Sequence, residues 1–394
     1  MIDPIVLAQL DAPRAADRLD ALGRLLPDAG FPEADPRMIN NHIHTIYSFS
    51  PYSPTAAVYA ARAEGLCTAG IVDHDSVAGA REFLAAGEKA GIPTTVGVET
   101  RVSMAGTPFE AVRTNNPDQA GVSYMAMHGL PHDRIEEVQR WFAPYRERRN
   151  VRNRAMTARI DQLLSAEGFE VQLDFDMDVL PLSQAHEGGT VTERHLCLAL
   201  AKVLIAIAGR GEGLVRLLEE FESPPSASQR KTLLDVASPF YEYDVLNVLK
   251  SAFLPKVYLP ATDECPPLDA FVAFARRIGA IPCYAYLGDV TESVTGDKAA
   301  QKFEDAFLEP LFETLASHGV KAVTYMPTRN TPAQLDRLRS LCARLGFFEV
   351  SGEDINSPRQ RFRIRAMEDP RFAHLIDATW ALIAHERGER PLLP

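Results

Sequence analysis

The stretch AGIVDHDSVAGAREFLAAGEKAGIPTTVGVE, residues 69–99, decides the fold class. It opens on a short apolar run with a polar end (69–75), passes through a helical pattern, and closes on a β-branched run (94–99). A strand, a helix and a strand in that order predict a crossover between parallel strands. The same alternation recurs on both sides. Runs at 38–44 (MINNHIH), 123–128 (SYMAMH), 280–286 (AIPCYAY), 321–327 (KAVTYMP) and 347–354 (FFEVSGED) raise the strand count to seven. Helical patterns such as PLDAFVAFARRIG and TPAQLDRLRSLCARLG, opening on Pro and closing on Gly, lie between strands. The expected fold is an α/β barrel with a parallel sheet.

The alternation stops between about Pro144 and Lys256, where long helical patterns dominate. This divides the chain into an N-terminal helical extension (1–37), a barrel (38–143 and 256–394) and a helical insertion (144–255). The most linker-like stretch is ESPPSASQRK at 222–231, rich in Ser and Pro. A length of 394 residues suits one large barrel with insertions or two domains. With 46% hydrophobic and 24% charged residues the composition is that of a soluble globular protein, and a net charge of -12 excludes a broad nucleic-acid-binding surface. Residues 1–26 read as a surface helix without the basic-then-apolar order of a signal peptide. The longest apolar run, 196–209, is interrupted by Lys202 and too short to span a bilayer, so no membrane association and a cytoplasmic location are expected. Five scattered cysteines, at 67, 197, 265, 283 and 342, are expected to be reduced and buried.

His42 and His44, two residues apart on a strand, project to one face and could grip a single ion. Four other strand ends finish in ligand-type residues: His74, Glu99, His128 and Asp354. In a parallel barrel these ends meet on the carboxy-terminal rim, where active sites are built, and converging imidazoles and carboxylates suit a divalent transition metal such as Zn, Mn or Fe. The plainer alternative is that polar residues simply end many strands. Arg146, Arg148, Arg149, Arg152 and Arg154 read either as phosphate ligands or, more commonly for so charged a helix, as a solvated face. Arg194 and His195 start a helix, where free amides favour an anion, although Thr192 could simply cap it. Arg101 suits a phosphate contact or a salt bridge equally well.

These motifs, taken in order, resemble the PHP (polymerase and histidinol phosphatase) superfamily of metal-dependent phosphoesterases: His42-Ile43-His44, Asp73-His74 followed by DSVAGA, Gly97-Val98-Glu99, and YMAMHGL with His128. RERRNVRNR followed by TERHLCLALA resembles the insertion of its nucleotide- and RNA-directed branch, and the segment ending SGEDINS resembles that branch's close. The resemblance implies a distorted seven-stranded (β/α)7 TIM-like barrel with up to three metals on its rim. It implies a first metal site of His42, His44, Glu99 and Asp354, with His74 and His128 serving further ions or orienting phosphate. Departures fall at Phe49 and Ser50, at Tyr286, where the family places His, and at Asn356. Tyr286 could instead donate to a phosphate oxygen. The implied function is a metal-dependent phosphoesterase in which a metal-activated hydroxide attacks the ester of a phosphorylated small molecule or short nucleic acid end, with Arg194 and His195 gripping its charge. The alternative is a weakened relative that binds metal or phosphate as a sensor or scaffold. The oligomeric state is left open.

Overall fold

The structure is a computed structural model that describes residues 4–169, 172–290 and 302–392. Seven strands form one sheet in chain order: β1 (Asp35–Ile43), β2 (Leu66–His74), β3 (Thr94–Ser103), β4 (Val122–His128), β5 (Ile281–Tyr286), β6 (Ala322–Tyr325) and β7 (Phe348–Ser351). The backbone just beyond β7 returns to β1, where Ile355 N donates to His42 O at 3.1 Å and His44 N donates to Ile355 O at 3.0 Å. The sheet is thus a nearly closed α/β barrel, with a helix after most strands, as the strand–helix alternation predicts.

One expectation is corrected. β4 runs antiparallel to both β3 and β5. A parallel return needs a crossover, usually helical, whereas residues 104–121 between β3 and β4 carry no helix and simply turn the chain back. In the resulting register Glu99 faces Ala126 and Ala126 faces Cys283, so these side chains share the inner face. Small and medium residues fill that face: Ala126, Ile281, Cys283, Ala322 and Val350 pack with Leu382. Leu382 belongs to the C-terminal helix Ala373–Glu386, which is tied to β1 by Asn41 Nδ2 donating to Thr379 Oγ1 at 2.7 Å.

The N-terminal segment also departs from the single surface helix expected. Pro13 lies in a break between helices Pro4–Leu10 and Ala15–Leu25. Leu10, Ala21 and Leu22 are buried. Arg18 is 1% exposed and clasps Glu82 through Nε–Oε1 (2.8 Å) and Nη2–Oε2 (2.5 Å), while Glu82 also accepts from Thr55 N and Thr55 Oγ1. The segment is therefore docked on the outer helices Pro54–Ala63 and Ala80–Ala90.

A long helix, Ile135–Ala166, runs across residues 143–144 and leads into helices Glu193–Ala208, Glu212–Glu220, Ala227–Leu234 and Tyr241–Val248. These share a second apolar core that includes Met156, Ile160, Leu200, Leu204, Leu218 and Val245, and Phe49 from the loop after β1 inserts into it. Within the Ser/Pro-rich stretch, Ser226 and Gln229 exchange a capping box that starts Ala227–Leu234, so half of that stretch is ordered helix. No helix among the described residues is long and apolar enough to cross a membrane, and all five cysteines are free thiols.

Candidate metal centre

β1 delivers His42 and His44 to the inner face near the strand's end, β2 delivers His74, β3 delivers Glu99, and the turn after β7 delivers Asp354. Two close approaches of backbone require glycine. A Cβ at Gly352 would stand 2.5 Å from His42 Cβ, and one at Gly97 would stand 2.8 Å from Met127 O and 3.3 Å from His128 Nδ1. The glycines of SGED and GVE are therefore the spaces into which two of the histidines fit.

The Nε2 atoms of His42 and His44 face each other at 3.2 Å. Asp354 Oδ1 lies 3.3 Å from His44 Nε2, and Glu99 Oε2 lies 3.6 Å from His42 Nε2 and 3.8 Å from His44 Nε2. His74 Nδ1 is 3.2 Å from the same Glu99 oxygen, and the His44 and His74 rings stand 4.6 Å apart. Donor atoms of His42, His44 and Asp354, and again of His44, His74 and Glu99, lie within 4.8 Å of one another. A four-coordinate ion with bonds of about 2.0–2.2 Å holds its ligands about 3.3–3.6 Å apart. The spacing and the donor chemistry both fit a divalent transition metal.

The tautomer of His44 is set from behind. Asp73, fully buried, accepts from Thr45 N, Thr45 Oγ1 and Ser48 Oγ, each at 2.6 Å. Having given its only proton to Asp73, Ser48 Oγ can only accept from His44 Nδ1, at 3.2 Å. The Nε2 lone pair is thereby turned to the cleft, the arrangement that orients ligating histidines. Asn356 Nδ2 similarly donates to Asp354 Oδ1 at 2.6 Å, so this departure from the family pattern orients a neighbouring carboxylate. Burial pushes the Asp354 carboxyl up, but His44, His42 and Arg194 outweigh it and hold it well below the usual carboxylate range. Its side chain nevertheless keeps 40% exposure, so the cleft is open there. Burial, reinforced by the neighbouring charge of Arg149, holds His74 well below the usual imidazole range and so neutral, the form that ligates.

His128 does not sit on the rim that a parallel sheet would give it. Because β4 is reversed, it lies opposite Gly97, two residues deeper than Glu99, and belongs to neither close donor group. Its Nε2 is buried with no hydrogen-bond partner among the described residues, and burial, with the charge of His42, lowers its pKa to about 3. It is a neutral imidazole with a free nitrogen. Tyr286 spends its single proton on Asp305 Oδ1 at 2.6 Å, which corrects its expected role as a phosphate donor.

The arginines divide. Arg101 takes the salt bridge: it is buried and paired with Glu193 at 2.9 Å and with Glu264. Arg149 and Arg152 are buried as well, neither a solvated face nor free for phosphate: Arg149 bonds Asp75 at 2.6 Å and Glu193 at 2.9 Å, and Arg152 bonds Glu193 and Glu264. Sequence reading missed these partners, which come from three separate elements. Arg154 pairs with Asp176 on the surface, and Arg146 donates to the Asp75 carbonyl. Arg194 differs. Its guanidinium lies 5.7 Å from the centre of the Phe49 ring, and Nη1 is buried with no hydrogen-bond partner among the described residues. Its neighbour His195 accepts from Thr192 N at Nδ1 (2.9 Å), closing a capping box, so the proton of the neutral ring is on Nε2. Burial lowers the His195 pKa to about 3.

Comparison with known proteins agrees with this fold. Among the solved structures, a protein described as a metal-dependent phosphoesterase from Bifidobacterium adolescentis superposes with a TM-score of 0.55 at 20% identity, over 88% of this chain and 96% of its own. An amidohydrolase from Chromobacterium violaceum, with bound sulfate and no metal, superposes with a TM-score of 0.53 at 17% identity, over 82% of this chain and 88% of its own. At such identities the likeness concerns the fold. No curated protein matches the chain. Residues 40–189, which carry His42, His44, His74, Glu99 and His128, match the PHP domain model.

Proposed function

We propose that the chain is a metal-dependent hydrolase of phosphate esters. The observation that carries this reading is the facing pair of imidazole Nε2 atoms at 3.2 Å with the Glu99 and Asp354 carboxylates closing around them. His42, His44, Glu99 and Asp354 would hold the first ion. His74 against Glu99 and the free nitrogen of His128 offer donors to further ions. When bound, such an ion acidifies water and neutralises phosphate charge. The chain's own contribution is to orient and to bind. Ser48 and Asp73 hold the His44 tautomer, Asn356 holds Asp354, and Arg194, with the Nε2–H of His195, supplies donors for phosphate oxygens from the helical insertion (144–255). The phosphoesterase name of one structural neighbour and the sulfate bound by the other support a substrate with a tetrahedral oxyanion. Nucleotides and short RNA ends are the first candidates, because the order of the Arg-rich helix and TERH resembles that branch of the family.

The test is hydrolysis of a panel of phosphate mono- and diesters, nucleotides included, by protein loaded with Zn, Mn or Fe. Release of phosphate, abolished by His42→Ala together with bound metal, is expected. Protein inert across the panel with every metal would overturn the proposal.

A further inference from the structure

Behind the cleft lies a buried ionic network that no metal ligand joins. Three guanidinium groups, Arg101, Arg149 and Arg152, alternate with three carboxylates, Asp75, Glu193 and Glu264, in an electrically balanced chain. The members are all at or near full burial, apart from Glu193, whose side chain keeps 14% exposure. They come from different elements. Arg101 is on β3, Asp75 follows His74 of β2, Arg149 and Arg152 are on the long helix, Glu264 precedes the helix Leu268–Ile278, and Glu193 is the first residue of Glu193–Ala208. Glu193 is the hub, the one carboxylate bonded by all three arginines. Burial alone would raise its carboxyl, but the three guanidinium charges hold it well below the usual range, so the hub stays ionised.

Hydrophobic packing alone would leave a helix free to rotate or slide by fractions of an ångström, whereas three charge-assisted hydrogen bonds on one carboxylate fix its first turn in direction and depth. The two residues that follow Glu193 are Arg194, with its unpartnered Nη1, and His195, whose tautomer is set by Thr192 at the same turn. Asp75 carries the network to the residue beside His74. It adopts φ +52°, a left-handed conformation uncommon for a non-glycine residue, which Arg149 and Thr100 Oγ1 hold in place through its carboxylate.

We propose that Glu193 is a positioning residue: gripped by Arg101, Arg149 and Arg152, it registers the first turn of its helix against the barrel and so places Arg194 and His195 to bind the substrate's phosphate. This rests on the reading of Arg194 as the phosphate ligand.

The experiment measures binding of inorganic phosphate by calorimetry, together with metal content and melting temperature, for the wild type, Glu193→Gln, Arg194→Met and the double variant. Glu193→Gln keeps the shape and removes the charge. It should weaken phosphate binding roughly tenfold, because misplacing a recognition group by about 1 Å is costly. Metal content should be unchanged. In the Arg194→Met background the same substitution should have little further effect, since Glu193 acts through Arg194. A merely structural role predicts equal losses in both backgrounds, and that result would overturn the proposal. Phosphate binding lost in Arg194→Met but intact in Glu193→Gln would overturn it while leaving the proposed function standing. Wild-type protein without phosphate affinity would overturn both. If Glu193→Gln does not fold, Glu193→Asp, which keeps the charge and draws it back by one methylene, carries the same comparison. Failure of both to fold would make Glu193 a stability residue and overturn its positioning role.

Discussion

Replacing Ser48 by Ala tests how the His44 ring is held. Asp73 accepts three hydrogen bonds of 2.6 Å, from Thr45 N, Thr45 Oγ1 and Ser48 Oγ, and of the donor groups only Ser48 Oγ also faces His44 Nδ1. Thr45→Val is therefore an internal control. Each substitution removes one hydroxyl donor from the same buried carboxylate and should cost about 1.5–3 kcal/mol of stability, the usual worth of a hydrogen bond to a charged group. The Thr45 change also removes a weaker acceptor for Tyr47 N at 3.3 Å. The two should part in metal binding. Ser48→Ala leaves His44 Nδ1–H without its acceptor, and loss of such a partner typically lowers metal affinity about 10–100-fold, equivalent to about 1.4–2.8 kcal/mol. Thr45→Val leaves that contact intact and should stay near the wild type. The assay is competition for Zn against a chromophoric chelator, alongside thermal melts of the metal-free proteins. Equal metal affinities in the two variants, with comparable melting temperatures, would refute the relay from Asp73 through Ser48 to His44.

Elemental analysis should find that His42→Ala removes all bound metal whereas His74→Ala retains one ion per chain; retention in both would remove His42 from the ligand set. Glu304 is fully buried, and burial pushes its carboxyl from 4.5 up to about 7. The folded state thus keeps a proton that the unfolded chain has lost, so stability is full below about pH 4.5 and falls as the pH rises through 7, by about 3 kcal/mol at most. Glu304→Gln should flatten the dependence of the denaturation midpoint over that window and raise the midpoint at pH 8; an unchanged slope would show that Glu304 is not its source. Arg18→Met strands Glu82 in the packing between the N-terminal segment and the barrel and should cost about 3–5 kcal/mol in chemical denaturation, with much of the loss recovered when Glu82→Leu removes the stranded charge. A loss under 1 kcal/mol would mean that the N-terminal segment is not docked as described.

What could be read from residues alone follows from what is local. The seven strands are visible as short apolar or β-branched runs with polar ends, and the helices that open on Pro and close on Gly announce their own ends. His42 and His44 are two residues apart on a strand, so their common face is a property of the chain itself. The GVE and SGED glycines were legible only as parts of motifs; that they make room for histidines emerges once β3 meets β4 and the chain beyond β7 returns to β1. The same holds for the direction of β4, which moves His128 off the rim, and for Tyr286, whose proton goes to Asp305.

The arginines show the difference most plainly. RERRNVRNR reads as a charged helix face, and the sequence by itself determined the helix, the strands and the ligand types at their ends. Only the tertiary structure decided that Arg149 and Arg152 turn inward to carboxylates 41 to 112 residues away, leaving Arg194 with an unpartnered nitrogen. A charge in water is almost indifferent to its partners. Once buried it must be paired, and which partner it meets depends on contacts between elements that no local pattern encodes.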